Sequence, residues 1–504
     1  MSADQKTPEP QPPQPPQPGV MDPPTTVGGT IKHLGPGIII AGSIVGSGEL
    51  IATTLAGAQA GFVLLWLIIL GCVIKVFVQV EFGRHTLLWS KTPMKALDDI
   101  PGPRLRANWI LWFWLVMTCL VIVQQGGILG AIGEACTMVL PLTADGAAYN
   151  AAMSEKITAQ ISMAMNPGTV AAAAAQTSPA APHDIRLWAV GISIVTSVLL
   201  FYGRFLLIQW VSTILVFAFT AITMINLVML QSDPRWAISF SDLWSGMNLS
   251  LPETIGGVSS LAAAMAAFGI IGVGAAELIQ YPYWCQEKGY AKFTGVRDDT
   301  LAWRHRARGW VRVLKIDAWM SMVVYTFSTV AFYLMGAAVL GRIQMMPEKS
   351  NLVRTLGEMY VPVFGSWALY IFVFGAIAVL YSTFFLAAAG MSRVVADGVG
   401  LFGLLKNDEA SRMKWTRIIS GIWPLMALIL FLFVNAPVAM ILWSGITQAI
   451  MLPILGVAAL YFRYRRIDLA EMRPGRTWDV FLWLSVAGMF AVGIWTVVEM
   501  LVGK

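Results

Sequence analysis

The chain has 504 residues, of which 57% are hydrophobic and only 12% charged, with 20 Trp and 24 Phe. That balance excludes a soluble enzyme and a disordered chain and leaves a polytopic membrane protein. The formal charge of +6 does not imply a nucleic-acid partner, because the basic residues cluster in the loops between apolar spans, where they report topology.

Residues 1–28 are rich in Pro, Gln and Thr and have almost nothing to bury, so a disordered, polyproline-like tail is expected there, without the apolar core of a signal peptide. The membrane domain then occupies 29–504. Eleven apolar spans of membrane length follow, near 36–60, 62–83, 108–135, 185–203, 205–230, 254–282, 315–341, 364–392, 416–434, 438–462 and 478–502. Lys and Arg concentrate after the even-numbered spans: Arg84 to Arg106, Lys288 to Arg312, Arg393 to Lys414 and Arg463 to Arg476. The positive-inside rule therefore puts the N-terminus in the cytoplasm and Lys504 outside. A bacterial inner membrane is the expected location. The Ala-rich connection from Pro141 to Asp184 reads as an external, flexible segment, and Asn248-Leu249-Ser250 is a glycosylation sequon of little weight.

One phrase occurs twice. Val45-Gly46-Ser47-Gly48-Glu49-Leu50-Ile51 returns as Val273-Gly274-Ala275-Ala276-Glu277-Leu278-Ile279, in the first and sixth spans. By parity the two copies cross the membrane in opposite senses. An all-α fold with a 5+5 inverted repeat follows: a first repeat over about 35–230, a second over about 254–462 and an extra helix over about 478–502. An ionised carboxylate at mid-membrane costs about 2.5–3.5 kcal/mol, and interrupted backbone there is tolerated only around a cavity or inside protein. Small residues running into a Glu in both spans therefore mark a substrate site at two broken helices.

Carbonyls freed near Gly46 and Gly274, with Glu49 and Glu277, form an all-oxygen set suited to a hard cation such as magnesium, calcium, manganese or sodium. Two other readings stay open: each Glu caps its own second half-helix, or the pair holds a proton in place of, or in exchange for, a metal ion. Lys75, inside the second span, would weaken a cation site if it reached the breaks; snorkelling or packing on a carbonyl is the alternative. Glu81 and Arg84 read as an interfacial ion pair. Gln124, Gln125 and Gln448 are polar enough to face the bundle interior, and Gln448 is a candidate oxygen donor. Ser382 and Thr383 in the eighth span are a candidate sodium site, against the plainer reading that they bond their own helix. The four cysteines and four histidines have no metal-ligand spacing, and no nucleophile and base arrangement is present, so neither an enzyme nor a cofactor is expected.

Gly35-Pro36-Gly37, the interrupted helix, Ala56-Gly57-Ala58 and the opening Gly269-Ile270-Ile271-Gly272 of the sixth helix resemble the Nramp divalent-metal transporters of the amino acid, polyamine and organocation superfamily. The resemblance covers most of the chain from Gly35 and implies the eleven-helix inverted-repeat fold, with a bundle that rocks on a scaffold. The site departs from that family. Its Asp-Pro-Gly-Asn is replaced by Gly46-Ser47-Gly48-Glu49, and its Met-Pro-His by Ala276-Glu277-Leu278. The acidic residues of the family's proton path align with Gln124 and Gly127.

These residues lead to the expectation of a secondary transporter of a hard divalent cation, magnesium or manganese ahead of iron, held by Glu49, Glu277, Gly46 and Gly274, with Ser47, Gly48, Ala275, Ala276 and Gln448 around it. The alternative is a carrier for a small organic substrate such as an amine or amino acid, driven by sodium, with Gly46, Gly48, Ala275 and Ala276 providing its space. The partners expected are the metal ion or small solute and the lipid bilayer, with no nucleic acid.

Overall fold

The computed structural model describes residues 19–165, 181–203, 205–251, 260–345, 351–406 and 408–502. The expected tail 1–28 falls outside these up to residue 18. From Gly19 on, the chain is docked: the Met21 amide donates to the Phe293 carbonyl, the Trp310 indole donates to the Met21 carbonyl, and Thr26 caps a helix over Val27–His33.

Among the described residues, eleven helical units stand where the apolar spans are expected. Helix one is Pro36–Ile44, a widened π-helical stretch Val45–Thr53, and Thr54–Ala60. Helices two to five are Leu65–Trp89, Trp109–Val139, His183–Phe201 and Phe205–Met229. Helix six is Ser260–Ile270 followed by Ala275–Lys288, and the first residues of its expected span, 254–259, lie outside the described residues. Helices seven to eleven are Leu301–Met335, Ala368–Leu401, Glu409–Val434, Pro437–Tyr461 and Arg476–Val502. Among the described residues, nine helices are long and apolar enough to cross a membrane, and the bent pair of helix one makes ten. Helix five adds an apolar stretch over Val216–Ser232. Strand among the described residues is confined to a two-residue antiparallel pairing, Arg104–Leu105 with Ala107–Asn108.

The packing follows the repeat. Helix seven lies along helix one as helix two lies along the second half of helix six, and helix eight pairs with helix five as helix three pairs with helix ten. Helix six is deeply enclosed, with 94% of its apolar stretch buried, against 33% for helix nine and 39% for helices four and eleven. The latter three therefore form the lipid-facing rim, and the interrupted helices form the centre.

Glycines bring these backbones together. A Cβ on Gly269 would overlap the Gly445 carbonyl of helix ten, and one on Gly57 the Tyr333 carbonyl of helix seven. Without a hydrophobic driving force between helices in lipid, such close approach supplies the dispersion contact that holds them.

Two expectations, one for a connection and one for an ion pair, differ from the structure. The connection after Pro141 is not an irregular segment throughout: Ala144–Met165 is a 22-residue helix, tied down where Arg354 donates to Asn150 Oδ1 at 2.7 Å and Ser154 Oγ at 2.8 Å. Ala-rich sequence has the highest helix propensity, and here docking supplies the rest. The Glu81–Arg84 pair, 2.7 Å apart, is fully buried under helix eleven, where the Trp478 indole donates to Glu81.

Candidate functional site

Helix one does not unwind at its repeated phrase. It widens into π-helical turns from Val45 to Thr53 and bends by 43° between its halves. The Thr53 hydroxyl donates to the Gly48 carbonyl at 2.8 Å, so that carbonyl is drawn inward rather than released. Helix six does break: residues 271–274 are non-helical, with Gly272 at a φ of +56°, a conformation glycine adopts without strain.

The two glycines of the first phrase serve different neighbours. A Cβ on Gly46 would overlap the Thr383 hydroxyl and lie 2.9 Å from the Val379 carbonyl, so Gly46 seats helix one on helix eight. A Cβ on Gly48 would lie 2.9 Å from the Ile270 carbonyl, so Gly48 lets helix one approach the break in helix six. The side chain of Ser47, between them, lies outside the described part of the structure.

Glu49 is fully buried at this crossing. Its Oε1 accepts from the Gly272 amide at 3.3 Å and lies 2.9 Å from the Thr329 hydroxyl of helix seven. That hydroxyl is also 2.6 Å from the Tyr325 carbonyl, and its single hydrogen serves one acceptor at a time. The other oxygen, Oε2, is buried without a partner among the described residues. Glu49 thus caps the break of the opposite helix, not its own second half.

Glu277 folds back over Gly274, its Oε2 2.5 Å from where a Gly274 Cβ would stand. Ala275 and Ala276 beside it are buried. The second half of helix six is capped by Gln448 of helix ten, whose Oε1 accepts from the Ala276 amide at 3.1 Å. Gln448 in turn donates to Gln124 Oε1 at 3.1 Å, and Ser444 donates to the same oxygen at 2.7 Å, a buried chain linking helices three, ten and six. The Gly274 carbonyl accepts from the Leu278 amide at 2.9 Å and belongs to the new helix.

Lys75 does not snorkel. Its ammonium is fully buried and donates to the Phe268 carbonyl and, at 2.8 Å, to the Ile271 carbonyl. Ser382 and Thr383 reach helix one: both hydroxyls donate to the Gly42 carbonyl, at 3.3 and 3.4 Å, and Thr383 accepts from the Gly46 amide at 2.9 Å.

The structure therefore brings Glu49 and Gly48 of helix one against the break of helix six, with Glu277, Gly274, Ala275, Ala276 and Gln448 at the start of its second half, and sets Gly46 against Thr383 of helix eight. Sequence reasoning missed Thr329, Ser444 and the turn at Gly272. The signal for Thr329 was present in its spacing of four from Tyr325, one helical turn along an apolar span. Among the described residues no group of three or more His, Cys, Asp or Glu side chains is placed to hold a metal ion. Any cation here would draw most of its ligands from amides, hydroxyls and backbone.

Eleven helices in an inverted repeat, with two interrupted helices meeting at carboxylates in the middle, define a membrane transporter. The chain belongs to the Nramp family: the family profile, described as natural resistance-associated macrophage protein-like, matches residues 37–499. Solved structures agree on the fold. A histidine-to-alanine variant of the manganese transporter of Eremococcus coleocola superposes with a TM-score of 0.59 at 16% identity, over 96% of this chain and 90% of that one. The same transporter in complex with an aromatic bis-isothiourea compound gives 0.57 at 15% identity, over 94% and 88%. MhsT in complex with L-phenylalanine gives 0.52 at 15%, over 96% and 100%. No curated protein matches the sequence.

Proposed function

We propose that the protein is a secondary transporter that carries a hard divalent cation, magnesium or manganese, by alternating access, with the ion held between helices one and six. The observation that carries this reading is Glu49 Oε2, a fully buried carboxylate oxygen without a partner among the described residues, at the crossing of helices one and six. Leaving such an atom unsatisfied costs about 1–3 kcal/mol or more, which a bound cation offsets. Glu277 supplies the second carboxylate, and Gln448 fixes the start of the half-helix that bears it. Family membership and the fold shared with a manganese transporter point the same way.

The ligand set has neither Met nor His, which favours oxygen-loving ions; magnesium would keep several of its waters and need few protein ligands. Gly46 and Gly274 act by permitting close approach, Gly46 toward helix eight and Gly274 beneath the Glu277 carboxylate. When no metal is bound, Thr329 can give its lone hydrogen to the Tyr325 carbonyl and accept a hydrogen bond from a protonated Glu49. Sodium at Ser382 and Thr383 would take the place of the bonds those hydroxyls make to Gly42. We place the protein in a bacterial inner membrane with its N-terminus inside.

Uptake into proteoliposomes of magnesium, manganese and calcium, reported by trapped indicators, tests the reading. Flux lost in both Glu49→Gln and Glu277→Gln supports it. Absence of flux for every divalent ion, in protein shown to be folded, overturns it in favour of an organic solute, to be screened with and without a sodium gradient.

A further inference from the structure

Lys75 stands at the centre of helix two with no exposed surface, an expensive place for an ammonium group unless it is paired. Its partners are unusual. The Phe268 carbonyl belongs to the last turn of the first half of helix six, and the Ile271 carbonyl follows that half directly, just before the turn at Gly272. A helix that stops there releases its final carbonyls and presents the negative end of its dipole. The ammonium also sits over the Phe268 ring, 4.5 Å from its centre. Glu277 and Glu49 both lie within electrostatic range of it.

The break in helix six is therefore shared. Its freed carbonyls face Lys75, and the next amide, that of Gly272, faces Glu49. A hard cation arriving between the carboxylates would look for those same carbonyls, and Lys75 already holds them.

We propose that Lys75 is a tethered cation that occupies the carbonyl half of the ion site and competes with the transported ion, so that it sets the affinity and charge preference of this carrier. The inference rests on the reading of Glu49 and Glu277 as cation ligands. With one positive charge fixed beside two carboxylates, the site is weakened for divalent ions, and release is eased. A merely structural Lys75 would cap helix six and leave metal affinity alone.

Manganese binding to purified protein, measured by titration calorimetry at one fixed pH, separates these. Lys75→Met and Lys75→Gln should bind manganese at least tenfold more tightly than the parent, and Lys75→Arg no more tightly. Lys75→Ala leaves room for a small amine, so added ethylammonium should weaken its manganese binding while leaving that of the parent unchanged. Lys75→Gln keeps an N–H donor for one carbonyl and guards against loss of fold in the other variants. Binding in a variant where the parent shows none would also support the proposal. Manganese binding that depends on Glu49 in the parent, yet is equal or weaker in folded Lys75→Met and Lys75→Gln and is indifferent to ethylammonium, overturns the tethered-cation role alone. Binding in neither parent nor variants overturns it together with the metal reading.

Discussion

A carboxylate in the middle of a membrane protein is defined by what each of its oxygens finds. For Glu49 one oxygen finds the Gly272 amide and the Thr329 hydroxyl, and the other finds nothing among the described residues. The partnered oxygen fixes the side chain's direction, and the other is the one that the proposed cation would meet. Thr329→Val keeps the shape of the side chain and removes the hydroxyl. Hydrogen bonds to charged groups are worth about 1.5–3 kcal/mol, and each 1.4 kcal/mol is tenfold in binding. Manganese uptake by Thr329→Val should therefore need a roughly tenfold or higher ion concentration for half-saturation, with protein yield and melting temperature near those of the parent. An unchanged half-saturation would show that Thr329 does not orient the ligand.

At the scale of elements, the interrupted helices are positioned by backbone contact. Helices six and ten touch where a Cβ on Gly269 would overlap the Gly445 carbonyl and lie 2.8 Å from the Ala449 amide, and where one on Gly445 would overlap the Ala266 carbonyl. The same helix ten carries Gln448, which caps the second half of helix six, so the spacing of the pair sets the cap. Gly269→Ala should lower stability by about 1–3 kcal/mol through overpacking and displace the Gln448 cap, reducing flux as well. Gly191→Ala in helix four, where a Cβ would meet nothing within 4 Å, is the matched control and should be neutral or slightly stabilising. Thermal melting in detergent reads both; equal melting temperatures for the two variants would refute the close-packing argument.

Across the whole molecule, the polar ends of the helices sort into two faces. On one, Arg297 pairs with Asp468 and Asp299, Arg308 pairs with Glu471, and the Trp89 indole donates to the Arg466 carbonyl, so the basic loops after helices two, six and ten meet beside the docked N-terminal segment. On the other, Arg342 donates to the carbonyls of Arg235 and Ala237, and Arg354 to Asn150 and Ser154. The first face carries the excess of Lys and Arg and should be cytoplasmic. In a cysteine-free background expressed in bacteria, Asn248→Cys should react with a membrane-impermeant maleimide in intact cells, and Lys406→Cys only after permeabilisation. The reverse pattern would invert the orientation.

The sequence by itself determined the class, the helical inverted-repeat fold and which two glutamates lie in apolar spans, because hydrocarbon penalises charge and open backbone so strongly that their few occurrences stand out. The tertiary structure decided what those residues do to one another. Whether a helix end is unwound or widened, as at Val45–Thr53, depends on what its neighbours offer its carbonyls. That Glu49 meets the break of helix six, that Gln448 accepts from the first turn of the second half of that helix, and that Lys75 takes the Phe268 and Ile271 carbonyls are contacts between residues far apart in the chain. Local pattern records only the cost of burying a polar group; the partner that meets this cost is chosen by the packing of other helices.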